Sequence, residues 1–287
     1  MSNPHVISFF DDRTFTITHL VACRETRRAA VIDPVLDYDA AAGRTYRDSA
    51  EALVNQIAQD RLQVDWILET HVHADHLTAA PFLKEQLGGR TGIGANVGKV
   101  QKTFAGIFNA EPAFKTDGSQ FDHLFADGEE FRIGNLTARV MFTPGHTPAC
   151  ATYVIGDAAF VGDTLFAPDY GTARCDFPGG DARLLYASIQ KILALPPQTR
   201  LFLCHDYLPD GRDVVMHTTV TDQRANNIHL KGMKDADAFA AMRTARDAKL
   251  KMPALIIPSV QVNMRAGHMP PPEANGTVYL KTPINKL

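Results

Sequence analysis

The stretch Trp66 to Ala80, WILETHVHADHLTAA, places His71, His73, Asp75 and His76 within six residues, directly after an apolar run that reads as a buried strand. Three imidazoles and a carboxylate are costly to bury unpaired, whereas a metal ion uses all of them at once. On a helix His71 and His73 would point apart, but at a strand end running into a loop they can converge on one point. The bland alternative is a polar loop rich in histidine; four ligand-type residues in this order favour a metal site.

Further ligand-type residues stand in comparable places downstream. His146 lies in a turn between Pro144 and Pro148, where stiff backbone aims the imidazole. Asp163 ends a segment that reads as two strands, 151–155 and 159–161, joined at Gly156 and Asp157, and His205 and Asp206 lie near the end of the apolar run 200–208. Each candidate thus follows an apparent strand, the placement that a cleft at one edge of a β-sandwich requires.

Of the elements that must carry these residues, 5–10, 14–22 and 27–35 read as a β-meander, and 46–62 as a surface helix leading into a strand at 64–70. From Thr78 the chain reads as a helix that stops at Gly88 and Gly89, and 123–133 with 136–142 as a strand pair around Gly134 and Asn135. TGIGANVG at 91–98 has a GxGxxxG spacing but lacks the full dinucleotide fingerprint and its following acidic residue, so its glycines are read as turn residues. Beyond 209 one amphipathic helix, 235–250, and a proline-rich tail, 252–287, are expected.

The chain has 287 residues, and its 45% hydrophobic and 21% charged content is that of a soluble globular protein. One α/β domain spanning 1–287 is expected, with about 210–287 forming a C-terminal helix and an extended arm packed on it. A net charge of −3 gives no electrostatic footprint for nucleic acid or anionic membrane. The N-terminal residues have no basic segment followed by a long apolar one, and no run approaches membrane-spanning length, so a cytoplasmic protein is expected. Cys23, Cys150, Cys175 and Cys204 form no CxxC pair and are read as reduced thiols.

HVHADH at 71–76, GHT at 145–147, GDTLF at 162–166 and CHDY at 204–207 together resemble the metallo-β-lactamase superfamily over about residues 6–210. The resemblance implies an αββα sandwich of two mixed sheets flanked by helices, with a metal site at one edge. Within the superfamily, the HADH core, ARCDF at 173–177, HDY at 205–207 and NMRAG at 263–267 are similar to the persulfide dioxygenases, the ETHE1-like sulfur dioxygenases, in a bacterial branch. Cys175 stands where that family's RTDF motif has threonine.

That likeness implies one Fe(II) per chain on His71, His146 and Asp163, two histidines and a carboxylate, as non-haem iron oxygenases use. His73, Asp75, His76 and His205 would surround it as supporting residues or as a second metal site. All seven could equally hold two metals about 3.5 Å apart with Asp163 bridging, the arrangement of a glyoxalase II-like thioester hydrolase. The implied substrates are glutathione persulfide and O₂, oxidised to sulfite and glutathione. Tyr207 would contact glutathione, and Arg174 would pair with a substrate carboxylate or brace the site through Asp176. A homodimer suits the superfamily, and a sulfurtransferase partner would be a separate protein. A metal-bound sensor on the same fold is the reading from outside enzymology.

Overall fold

The computed structural model describes residues 3–287. Short runs of β-branched and aromatic residues, broken by glycine and charged turns, form two six-stranded sheets. The first runs in chain order through β1 (His5–Asp11), β2 (Thr16–Cys23), β3 (Arg28–Ile32), β4 (Gln63–Leu68), β5 (Arg90–Gly94) and β6 (His123–Phe125). The second runs through β7 (Glu130–Ile133), β8 (Leu136–Phe142), β9 (Ala151–Ile155), β10 (Ala158–Phe160), β11 (Arg200–Phe202) and β12 (His217–Thr219).

Parallel neighbours need a crossover long enough for a helix. The parallel pairs β3–β4, β4–β5, β5–β6 and β10–β11 are spanned in turn by α1 (Asp48–Gln59), α2 (Ala80–Leu87), α3 (Val97–Ile107) and α4 (Ala182–Leu193). Neither α3 nor α4 is anticipated in the sequence reading. Yet α4 carries a plain start signal: the Asp181 carboxylate accepts from the backbone N–H of Arg183 at 2.8 Å and of Leu184 at 2.9 Å.

The sheets pack face to face through Val21, Ile32, Leu68, Val140, Tyr153 and Phe160, among others. Outside the first sheet α1 and α2 bury Leu53, Ile57 and Leu83; outside the second, α4 buries Leu185, Ile189 and Ile192 with Phe239 of α6 (Ala236–Asp247). This is the αββα sandwich.

Two expectations need correcting. The run 123–133 is not one strand: 123–125 pairs with β5 in the first sheet, whereas 130–133 pairs with β8 in the second. The chain changes sheets between them at Gly128, whose φ of +78° suits glycine, and Asp127 ties the turn to the backbone N–H of Phe142 at 2.7 Å. The C-terminal part is also richer than one helix and a tail. It contains β12, α5 (Val220–Asn226), α6 and α7 (Ile256–Asn263). Pro258 hides α7 from a composition-based reading, but it sits in the first turn, where the helix needs no N–H from it. Residues 268–287 form no helix or strand. They lie against the body where the Gln261 side chain pairs with both backbone groups of Lys281, at 2.8 and 3.0 Å.

Candidate metal centre

Four of the ligand-type segments leave strands of both sheets: His71 follows β4 of the first, and His146, Asp163 and His205 follow β8, β10 and β11 of the second. Two glycines let the backbones come this close. Gly145 has φ +144°, and a Cβ there would lie 2.3 Å from the Leu185 backbone; Gly162 has φ +51°, and a Cβ would meet Thr70 Oγ1 at 2.7 Å. His146 and Asp163 are thus presented by turns that accept no side chain at the preceding position.

All seven predicted residues meet here. His71 Nε2 and His146 Nε2 lie 4.0 and 3.7 Å from Asp163 Oδ2, and one ligand atom from each of His71, His146 and Asp163 falls within 4.8 Å of the others. His205 Nε2 is 3.2 Å from Asp75 Oδ2 and 3.3 Å from Asp163 Oδ1. His73, Asp75 and His76 form a further set of the same compactness.

Hydrogen bonds at the far nitrogens decide which ring atom carries a lone pair. Nδ1–H of His76 donates to Leu77 O at 3.0 Å, that of His146 to Arg174 O at 2.8 Å and that of His205 to Phe15 O at 3.2 Å. Thr70 gives its hydroxyl proton to Asp33 at 2.9 Å, so its oxygen accepts from His71 Nδ1 at 3.0 Å. His73 is turned the other way: Nε2–H donates to Asp33 Oδ1 at 2.9 Å, which bares Nδ1. The bare Nε2 atoms of His71, His76 and His205, His73 Nδ1 and Asp163 Oδ1 are all buried without a hydrogen-bond partner among the described residues. Orphans of this kind are rare, and His205 Nε2 facing two carboxylate oxygens is repulsive unless a cation lies between them. A metal ion accounts for them together, so the residues fit one.

The electrostatics of His71 and His76 agree with that fit. Burial, reinforced by the neighbouring imidazoles, pushes His71 well below the usual histidine range, and burial takes His76 down to about 4, so both are neutral donors at pH 7. His73 goes the other way: burial opposes its charge, but Asp33 and Glu69 together raise it well above the ordinary value, so the metal-free ring favours the imidazolium and a metal at Nδ1 would have to displace its proton. Burial would raise Asp33 too, yet the His73 charge and two bonds from Thr70 hold it low, whereas burial wins at Glu69 and lifts its carboxyl.

A cleft of about 350 Å³ opens onto the centre. Phe15, Phe166, Tyr170 and Tyr207 line one side, with the Tyr207 ring stacked on Tyr170 at 4.7 Å and on His205 at 5.7 Å. Arg174 lines it as well, but its guanidinium binds both oxygens of Asp176 at 2.6 Å and the Lys251 carbonyl at 2.6 Å. Arg246 and Lys251 also reach the cleft. Arg212 and Arg265 are paired elsewhere, with Asp169 and Asp206 and with Glu111. Sequence reasoning missed Asp33, Glu69 and the aromatic wall beyond Tyr207. The one available signal was Asp33 itself, a carboxylate ending an apolar run before Pro34. All four cysteines are buried and free, and Cys204 donates to Asp33 Oδ2 at 3.6 Å.

The fold and this edge site define a class. Residues 15–205 match the family model of the metallo-beta-lactamase superfamily, and the chain belongs to it. It is 55% identical to a probable metallo-hydrolase of Burkholderia pseudomallei, over 98% of this chain and 99% of that one. It is 49% identical to glyoxylase B2 of Dictyostelium discoideum, over 100% and 99%. It is 30% identical to the mitochondrial persulfide dioxygenase ETHE1 of Mus musculus, over 92% and 89%. Among solved structures it resembles ETHE1 from Myxococcus xanthus, with a TM-score of 0.73 and 28% identity over 92% of this chain and 100% of that one. No helix among the described residues is long and apolar enough to cross a membrane.

Proposed function

We propose that the chain is a persulfide dioxygenase that holds one Fe(II) on His71, His146 and Asp163. It would convert glutathione persulfide, O₂ and water to glutathione and sulfite, a reaction balanced without any other oxidant. The observation that carries this reading is the compact trio of ligand atoms from His71, His146 and Asp163, a set that does not include His73. Two histidines and one carboxylate leave positions open for more than one reactant. The likeness to ETHE1 proteins over nearly the whole chain supports it.

When bound, iron supplies the redox chemistry that joins oxygen to the terminal sulfur. The protein's own residues orient and shelter. Arg174 O fixes the His146 ring through Nδ1, while the Arg174 guanidinium locks that loop to Asp176 and Lys251. Bound in this cleft, the persulfide would be sheltered from water by the aromatic wall, and Tyr207 would contact its glutathione portion. Arg246 and Lys251 offer positive charge to the carboxylates of glutathione.

A second reading has its own observation. His205 Nε2 is bare and buried beside Asp75 and Asp163, and His76 Nε2 is bare and buried in one compact set with His73 and Asp75; these residues would supply a second metal, and relatives named a metallo-hydrolase and a glyoxylase fit dinuclear thioester hydrolysis. One experiment separates the two: oxygen uptake and sulfite release by anaerobically iron-loaded protein given glutathione persulfide, with S-lactoylglutathione in parallel. Uptake matched by sulfite is the expected result. Thioester cleavage without oxygen uptake would transfer the chain to the hydrolases.

A further inference from the structure

The loop that carries His73, Asp75 and His76 has little regular structure of its own, with only Leu77–Thr78 in a two-residue ladder. What fixes it comes from the far end of the chain. Asn263, the last residue of α7, is 4% exposed. Its Nδ2 donates to His73 O at 2.9 Å and to His76 O at 2.7 Å, and its Oδ1 accepts from Thr78 N at 2.9 Å. Two carbonyls and one N–H leave a single way to orient the amide, with every polar atom used. The two carbonyls bracket Asp75, so one side chain clamps the backbone from which three of the seven candidate ligands project.

The clamp is itself held. Just beyond it, Arg265 grips both oxygens of Glu111 at 2.6 and 2.8 Å and lies over Phe114 at 4.3 Å. Gly267, at φ +88°, packs so tightly that a Cβ would stand 2.5 Å from Pro81 and 2.9 Å from Thr78. We propose that Asn263 is a positioning residue for the metal centre, setting the reach of His73, Asp75 and His76 so that metal affinity depends on the C-terminal helix. This inference rests on the site holding a metal, not on iron or on persulfide chemistry.

The test is titration of metal-free full-length protein with Co(II), reading the dissociation constant and the visible ligand-field absorption. Asn263→Ala removes the clamp. Asn263→Asp keeps the acceptor for Thr78 N but sets a carboxylate against two carbonyls, and serves if the alanine variant does not fold. Val260→Ala, a buried packing change in the same helix, is the control for lost stability. Both Asn263 variants are expected to bind Co(II) about 10- to 100-fold more weakly with an altered spectrum, the usual effect of losing an outer support. Val260→Ala is expected to lower Tm and leave affinity and spectrum unchanged. Wild-type binding by a folded Asn263 variant, or an equal loss in Val260→Ala, would overturn the inference. Should persulfide oxidation fail while Asn263 still governs Co(II) binding, the proposed function falls and this assignment stands.

Discussion

Asp33→Asn isolates the charge that supports the metal centre. Asp33 sits at φ +52°, a conformation asparagine also tolerates, so the substitution leaves the backbone in place. Its Oδ1 accepts from Thr70 N at 2.7 Å and His73 Nε2 at 2.9 Å; its Oδ2 accepts from Thr70 Oγ1 at 2.9 Å and from the Cys204 thiol. An asparagine keeps its oxygen toward the first pair, which can only donate, and turns its NH₂ toward the hydroxyl and thiol. Two things then change. His73 loses the anion opposite Nε2–H and with it the contact that fixes its ring beside the centre. Thr70 no longer has an acceptor for its proton, turns it toward His71 Nδ1, and drives the His71 proton onto the metal-facing Nε2. Loss of such support costs about 10- to 100-fold in metal affinity, or about 1.4–2.7 kcal/mol. The metal-free protein loses roughly 1–2 kcal/mol as a charge-assisted bond becomes a neutral one. Competition of Zn(II) binding against a chromogenic chelator measures the first quantity, and urea unfolding of the metal-free protein the second. Glu69→Gln is the contrast, because Glu69 lies farther from His73 Nε2, at 3.4 Å, and burial already favours its neutral form; its effect should be distinctly smaller. Affinity of Asp33→Asn within threefold of wild type would refute the argument that Asp33 sets both tautomers.

Asp163→Ala and His146→Ala should leave no bound iron by elemental analysis, whereas His205→Ala should keep one iron per chain; loss of all metal from His205→Ala would defeat the mononuclear assignment. Tyr207→Phe should raise KM for the persulfide several-fold with kcat nearly unchanged, and an unaltered KM would remove its hydroxyl from substrate binding. His19, buried between Phe160 and Phe202, is pushed down to about 4 by burial despite its bond to the Leu203 carbonyl. Because its folded pKa lies below its unfolded value, its stabilisation is complete only well above pH 6.5 and declines as pH falls toward 4, by roughly 2–3 kcal/mol at pH 4.5. Urea midpoints at pH 7.5 and 4.5 should therefore fall further for wild type than for His19→Gln, and parallel losses would show that another group dominates.

How much of this was legible in the sequence follows from which interactions are local. His71 to His76 announce themselves because ligands spaced along one strand end are a local pattern. His146, Asp163 and His205 are legible because each ends an apolar run, and the motif resemblance joins the four segments into one edge. The crossing between sheets inside 123–133 was hidden because Phe125 and Phe131 are equally apolar and share one core, so no polarity change marks where the chain leaves one sheet for the other. Parallel pairing could have exposed α3 and α4, since β5–β6 and β10–β11 cannot be joined without a long crossover.

The supports of the centre are least legible, for a different reason. Asp33 and Asn263 act across 40 and 190 residues on His73, one through its ring and the other through its carbonyl, and neither residue type is unusual where it stands. Arg174 shows the same limit from the other side. Its charge suggests a substrate contact, yet its guanidinium is committed to Asp176 and Lys251 while its carbonyl aims His146. A ligand must present a particular atom type, which the sequence displays; a support needs only a polar group at the right distance, and distance is supplied by the fold. If the proposed clamp holds, the metal affinity of this edge draws on residues from the first sheet and from the C-terminal helix as well as on the histidines.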